Sequence, residues 1–258
     1  MLSLNSKTAV VSGGSSGIGF ASVLHLLALG HRVAFFGQSP EHVEAACEQI
    51  SQLYSAKRFL GLTVDMLEEG AIQHFFQEVV PLLGNPEILV CSAGISPKGP
   101  RGLALPLTDL TIREWDRVIA VNLTGAMLCC QCALPHMQQT GFGRIIFIGS
   151  VAGRTIPHIA SGAYAASKAG LAGLARSLVG QYSHFGVTIN VIAPGRIATQ
   201  MAGDIDSPHN KTALARIPVG RIGTVDDVAN VVGFLASEQS GFINGAILDV
   251  NGGEFAPV

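Results

Sequence analysis

Charge is scarce in this chain. Lys, Arg, Asp and Glu together make up 13% of its 258 residues, about half the share usual in globular domains. A surface so poor in charge implies that part of it is covered by self-association. Neither sign dominates: 16 Lys and Arg against 18 Asp and Glu leave a net charge of −2. That balance gives no electrostatic footprint for nucleic acid or for an anionic membrane. Cysteines are few, at Cys47, Cys91, Cys129, Cys130 and Cys132, and show neither metal-ligand nor disulfide spacing. The last three fall in an apolar stretch and read as small buried residues, which suits a reducing cytoplasm. The eight histidines form no ligand cluster, so no metal is expected, and His158 reads as a loop residue. No repeat, low-complexity tract or linker interrupts the chain, so a single domain is expected over residues 1–258. Met1 to Ser6 is short and polar, unlike a signal peptide. The uncharged stretch from Val118 to Gly143 has membrane length, but Asn122, Thr124, Gln131, Gln138 and Gln139 punctuate it and Pro135 interrupts it. It reads as a helix buried between subunits, not a transmembrane span.

Two motifs stand out against this background. Tyr164 is followed four residues later by Lys168, the only one of three tyrosines so placed, with Ser150 upstream. On a helix that spacing puts phenol and ammonium on one face. A nearby cation favours the phenolate and draws a tyrosine pKa down from about 10. Near the N-terminus runs Ser12-Gly13-Gly14-Ser15-Ser16-Gly17-Ile18-Gly19, between an apolar run and a helical pattern. Glycines there permit a tight turn and close approach of backbone to a pyrophosphate, and the helix N-terminus offers free N–H groups.

Short β-branched runs alternate with helical patterns, as in βαβ units. Strands are expected at Thr8–Ser12, Arg32–Phe36, Phe59–Val64, Ile88–Cys91, Arg144–Ile148, Thr188–Ile192 and Ala246–Val250. Their nearly continuous apolar character fits strands covered on both faces. Helices are expected near Gly17–Leu29, Pro40–Gln52, Glu68–Leu83, Thr111–Gln139, Gly162–Phe185 and Val225–Ala236. The fold class is therefore α/β, a doubly wound Rossmann-type domain with a seven-stranded parallel sheet flanked by helices. The glycine turn makes residues 1–150 the expected dinucleotide half, and the Tyr164–Lys168 pair makes residues 151–258 the expected catalytic and substrate half. The polar, weakly periodic stretch Thr199–Arg216, within a segment of about 196–216, is a candidate lid.

With both motifs placed, the chain resembles the short-chain dehydrogenase/reductase family over essentially its whole length. The family's Thr-Gly-x-x-x-Gly-x-Gly reads Ser12 through Gly19, and its Asn-Asn-Ala-Gly reads Cys91-Ser92-Ala93-Gly94, losing both asparagines. Asn122 matches the family's helix asparagine, Ser150 its catalytic serine, Tyr164 its tyrosine and Lys168 its lysine. Arg221-Ile222-Gly223 and Asn251-Gly252-Gly253 match later motifs, with Asn251 in place of the usual aspartate. The resemblance implies a hydride transfer between nicotinamide and a carbonyl or secondary alcohol. Tyr164 would exchange the proton, Ser150 would hold the carbonyl oxygen, and Lys168 would lower the tyrosine pKa and hold the nicotinamide ribose. Asn122 would support a water leading to the lysine. Ser150 precedes Tyr164 by 14 positions, one more than is common in the family, so the loop Ala152–Gly162, with Arg154, His158 and Ser161, is expected to be lengthened and to shape the substrate mouth.

The same resemblance assigns cofactor contacts to the glycine turn (Gly13, Ser15, Ser16, Gly17, Ile18 and Gly19), and to Ala93 and Gly94. It adds Tyr164, Lys168, and the segment Pro194, Gly195, Ile197 and Thr199 over the nicotinamide. Asp65 and Met66 would lie near the adenine. The second strand closes on Gly37-Gln38-Ser39 without the acid that would repel a 2′-phosphate. Gln38 and Ser39 are thus expected to favour NADP(H), with NAD(H) as the alternative. The substrate is expected to be a small carbonyl or alcohol, foremost a ketone or 3-oxoacyl group, with a secondary-alcohol or polyol dehydrogenase as the second reading. A non-catalytic nucleotide sensor would carry damage at Ser150, Tyr164 or Lys168, and all three are intact. Family likeness also implies a homotetramer, with the helix around Val118–Leu134 and the helix Gly162–Phe185 at one interface. No strong basic patch marks a carrier-protein partner, although Arg101, Arg154 and Arg196 are available to group in space.

Overall fold

The computed structural model describes residues 6–99 and 102–257, so Arg101 lies outside the described residues. Seven strands form one parallel sheet: β1 (Thr8–Ser12), β2 (Arg32–Gly37), β3 (Phe59–Thr63), β4 (Ile88–Cys91), β5 (Gly143–Ile148), β6 (Val187–Pro194) and β7 (Ile247–Val250). Their order is β3-β2-β1-β4-β5-β6-β7, with Val10 opposite Ala34 on one side and Leu89 on the other. The winding reverses between β1 and β4, and such a switch point opens a crevice at the carboxyl ends of the strands.

The apolar runs are continuous because the strands are covered on both faces. Along β1, Val10 belongs to one core while Ala9 and Val11 belong to the other; along β2, Ala34 and Phe36 alternate likewise with Val33 and Phe35. The first core is closed by α3 (Ala71–Leu83), α5 (Gly125–Thr140) and α6 (Gly162–Tyr182). The second is closed by α1 (Gly17–Ala28), α2 (Pro40–Ser51) and α8 (Val225–Ala236). Each fully buried side chain such as Phe35 or Leu26 contributes about 2–3 kcal/mol. The expected strands all form, within two residues at either end.

The helices depart from expectation in four places. The single helix expected over Thr111–Gln139 is α4 (Ile112–Ile119), then a wider π turn at Ala120–Thr124, then α5. Taken together, Ile112–Thr140 is the one stretch among the described residues long and apolar enough to cross a membrane, yet Ala126, Cys129, Ala133 and Met137 pack into the core. Pro135 does not interrupt it, because α5 continues to Thr140. Helix α3 starts at Ala71 rather than near Glu68, because Gly70 before it adopts the left-handed conformation. Part of the expected lid is itself ordered, as a 3₁₀ turn at Gln200–Ala202 and the short helix α7 (Pro208–Leu214). Cys132 is only partly buried, unlike Cys129 and Cys130.

Candidate active site

The glycine turn is built by backbone that other residues would not tolerate. Gly13 has φ +66°, and a Cβ there would lie 2.7 Å from the Cα of Ala93 at the end of β4. A Cβ on Gly19 would meet the Gly13 carbonyl oxygen. The Ser12 hydroxyl accepts from Ala93 N at 3.2 Å and ties the turn to β4. Ser16 stands at the N-terminus of α1 without a side-chain cap. The first-turn N–H groups therefore remain available to an anion.

A cavity of about 820 Å³ opens at the carboxyl ends of the strands, of a size suited to small ligands. Ser150, Tyr164 and Lys168 all line it, together with Gly13, Gly94 and Gly195. Ser161 caps α6, accepting from Tyr164 N at 3.3 Å, which places Tyr164 in the first turn with Lys168 one turn on. Ser150 follows β5 by two residues and caps the 3₁₀ turn Val151–Gly153, accepting from Ala152 N at 3.1 Å. The loop expected to be lengthened lines the cavity through Thr155, Ile156, Pro157, His158 and Ile159.

The electrostatics differ from expectation. Lys168 is buried, 6% exposed, and its Nζ donates to the Ile148 carbonyl at 2.8 Å. Burial lowers its pKa to about 8, with Cys91 opposing weakly. The ammonium lies 5.7 Å from the centre of the Tyr164 ring. Burial raises the Tyr164 pKa, and a hydrogen bond with Ser150 opposes it. Desolvation of the phenol sets the direction of this shift, opposite to the expected lowering.

Asn122 sits in the π turn, 1% exposed. Its Oδ1 accepts from Ile95 N at 2.8 Å, and its Nδ2 donates to the Ile95 carbonyl at 3.0 Å and to Ser167 Oγ at 3.0 Å. It holds the chain after β4, and a Cβ on Gly94 would lie 3.5 Å from its Oδ1 and 3.3 Å from the Lys168 ammonium.

The expected adenosine contacts are placed apart from the main cavity. The Gln38 amide donates to Asp65 Oδ2 at 3.0 Å. The Ser39 hydroxyl donates to Glu41 Oε2 at 2.7 Å and caps α2. Ser15 lies against Gly37, where a Cβ would be 2.1 Å from its Oγ, and Met66 reaches Gly125. Pro194, Ile197 and Thr199 do line the cavity, as do Ser16, Ile18 and Ala93. Of the arginines expected to group in space, Arg196 lines the cavity, while Arg154 pairs with Asp249 and lies over the Phe255 ring, and Arg101 is outside the described residues. Sequence reasoning missed Lys98, Arg216, Glu254 and Phe255, which line the cavity from loops distant in the chain. Only spatial proximity gathers them.

The family model described as Enoyl-(Acyl carrier protein) reductase matches residues 13–254. The chain is 39% identical to the 3-oxoacyl-[acyl-carrier-protein] reductase MabA of Mycobacterium tuberculosis, over 96% of this chain and 92% of that one. It is 36% identical to the 3-oxoacyl-[acyl-carrier-protein] reductase FabG of Aquifex aeolicus, over 98% and 99%. A crystal structure of a 3-oxoacyl-[acyl-carrier protein] reductase with bound NAD, from Brucella melitensis, superposes with a TM-score of 0.88 at 28% identity, over 97% of this chain and 92% of that one. Glycine turn, switch-point cavity and the Ser150, Tyr164 and Lys168 wall thus coincide with likeness along nearly the whole sequence: the chain belongs to the short-chain dehydrogenase/reductase family, whose members are NAD(P)-dependent oxidoreductases.

Proposed function

We propose that the chain is a carbonyl reductase acting on ketones of the 3-oxoacyl kind, with Ser150, Tyr164 and Lys168 as its catalytic residues. The observation that carries this reading is the convergence of all three side chains on the cavity that the glycine turn also borders. The residues present fit a nicotinamide dinucleotide, because Gly13 and Gly19 leave room where a Cβ would fill the turn and α1 begins uncapped. When bound, that cofactor supplies the hydride.

The protein's own part is to place the carbonyl and manage a proton. Ser150 donates to the carbonyl oxygen as negative charge grows there. Tyr164, kept protonated by burial, delivers its proton to that oxygen. Lys168 supplies positive charge beside the phenol as it ionises, and is available to the nicotinamide ribose. Asn122 positions the chain around Ile95. Residues 1–150 serve the dinucleotide and residues 151–258 the substrate, with the segment about 196–216 as a lid over the cavity.

The adenosine end admits both dinucleotides. Absence of a carboxylate at Gln38 favours NADP(H), while the engagement of Gln38 by Asp65 and of Ser39 by Glu41 narrows that preference. A homotetramer associating through α4, α5 and α6 accounts for the low charge, with Ile112 exposed on that side. Five free thiols accord with a cytoplasmic setting. The test is dinucleotide oxidation with a panel of ketones, with the alcohol product identified. Ser150→Ala should lower kcat about 10²–10³-fold while dinucleotide binding persists. Full activity in that variant would refute the assignment.

A further inference from the structure

The mouth of the cavity concentrates positive charge. Lys98, Arg196 and Arg216 line it, and among the described residues Glu254 is its one lining carboxylate. Arg216 is already matched, donating from Nε and Nη2 to Glu254 Oε1 at 3.2 and 3.0 Å. Lys98 and Arg196 meet only neutral acceptors among the described residues. The Lys98 ammonium donates to Ser96 Oγ at 3.1 Å and to the Ile159 carbonyl at 2.9 Å. Arg196 donates from Nε to Asn210 Oδ1 and from Nη2 to the Ala202 carbonyl at 2.8 Å. Asn210 is itself buried and fixed, donating to the Asp204 carbonyl at 2.6 Å. The guanidinium is therefore held in place rather than left to swing into solvent.

Lys98 also feels the charge of Arg196. Partial burial and the charge of Arg196 both lower the Lys98 pKa. Burial lowers that of Arg196, with Arg216 acting in the same direction and Glu254 against it. Like charges held together in a partly desolvated cleft are unfavourable until an anion joins them. Lys98 comes from the loop after β4 and Arg196 from the start of the expected lid, so an anion bound by both would link these two segments.

Resting on the carbonyl-reductase reading, we infer that Lys98 and Arg196 form a receptor for an anionic group, a carboxylate or a phosphate, carried by the substrate away from its reacting carbonyl. Charge-assisted hydrogen bonds would orient the substrate, and the positive mouth would draw it in. Neutral ketones would lack this anchor.

Two matched pairs of probes test the inference. Levulinate is compared with methyl levulinate, and acetoacetyl coenzyme A with S-acetoacetyl-N-acetylcysteamine, which has the same thioester and no phosphate. For each, kcat/KM is measured in wild type, Lys98→Gln and Arg196→Gln, beside calorimetric binding to the dinucleotide-saturated enzyme. The charged member of at least one pair should be preferred roughly tenfold, a preference each substitution cuts by a similar factor, as loss of one charge-assisted bond implies. Preference within the first pair assigns a carboxylate, and within the second a phosphate. Arg196→Gln also removes bonds that order Asn210 and Ala202, so Lys98→Gln provides the independent variant. Equal kcat/KM within both pairs, or a preference untouched by Lys98→Gln, would overturn the inference. If no ketone is reduced, the carbonyl-reductase reading fails, and calorimetry still decides the receptor. Tighter binding of the charged probe in wild type than in Lys98→Gln supports it, and equal binding of charged and neutral probes overturns it.

Discussion

Lys168 directs its ammonium to the carbonyl oxygen of Ile148, 2.8 Å away, and that bond crosses from α6 to the last residue of β5. It fixes the lysine between the sheet and the phenol of Tyr164. A charge so placed is poorly solvated, which is why its pKa falls to about 8.

That value has a consequence for stability. The unfolded chain titrates lysine near its ordinary value of about 10.4. Below about pH 8 both states carry the proton, so the penalty of burying the charge stands in full. Between about pH 8 and the unfolded value, the folded state has released the proton and the penalty fades. Lys168→Met should therefore have the higher Tm at pH 7, and its advantage over wild type should shrink as the pH approaches 10. Calorimetric melts across that range check the slope.

Asn122 answers both main-chain groups of Ile95. Asn122→Ala would take the partner from the half-buried N–H and carbonyl of Ile95, while Ser167 Oγ keeps its bond to the Tyr164 carbonyl. A loss of about 1–3 kcal/mol is expected on chemical denaturation. Because the chain leading to Ser96 and Lys98 starts at Ile95, kcat/KM should fall as well. Unchanged stability would show that water replaces the amide.

The fold was legible in the sequence where alternation between two cores dictates it. Val10 and Val11 point to opposite faces, so β1 reads as a continuous apolar run, and the same holds for Val33–Phe36 of β2 and Ile145–Ile148 of β5. The site was legible where its members share one segment: Tyr164 and Lys168 lie one turn apart, and Gly13 to Gly19 form one turn. The π turn at Asn122 was hidden, since nothing in Val121-Asn122-Leu123 marks a widened turn apart from its polar residue. The direction of the Tyr164 shift was also hidden, because spacing reveals a neighbouring charge but not the desolvation that sets that direction. Lys98 and Glu254, 156 positions apart in the chain, meet only through the fold.

Arg154 pairs with Asp249 of β7, whose second oxygen, Oδ1, is buried without a hydrogen-bond partner among the described residues. Arg154→Met would strand that carboxylate. Both side chains are partly exposed, 22% and 17%, so the expected loss is about 1–3 kcal/mol, below that of fully buried pairs. Equilibrium unfolding checks it, and Arg154→Met combined with Asp249→Leu should recover part of the loss.

Gln38 closes β2 with its amide on Asp65. Gln38→Arg would offer a guanidinium to a 2′-phosphate. The ratio of Kd for NADH to Kd for NADPH should rise by about tenfold, as one charge-assisted contact implies. Fluorescence titration of both dinucleotides measures it, and an unchanged ratio would place the 2′ position elsewhere.

The central claim is that Tyr164 is the proton donor on a dinucleotide-loaded site. Its most direct measurement is kcat for ketone reduction by Tyr164→Phe against wild type, with dinucleotide affinity determined on the same samples. Removing one oxygen should leave dinucleotide affinity within a few-fold of wild type and lower kcat by about 10²–10⁴-fold. A Tyr164→Phe enzyme that reduces the ketone at the wild-type rate would contradict the account.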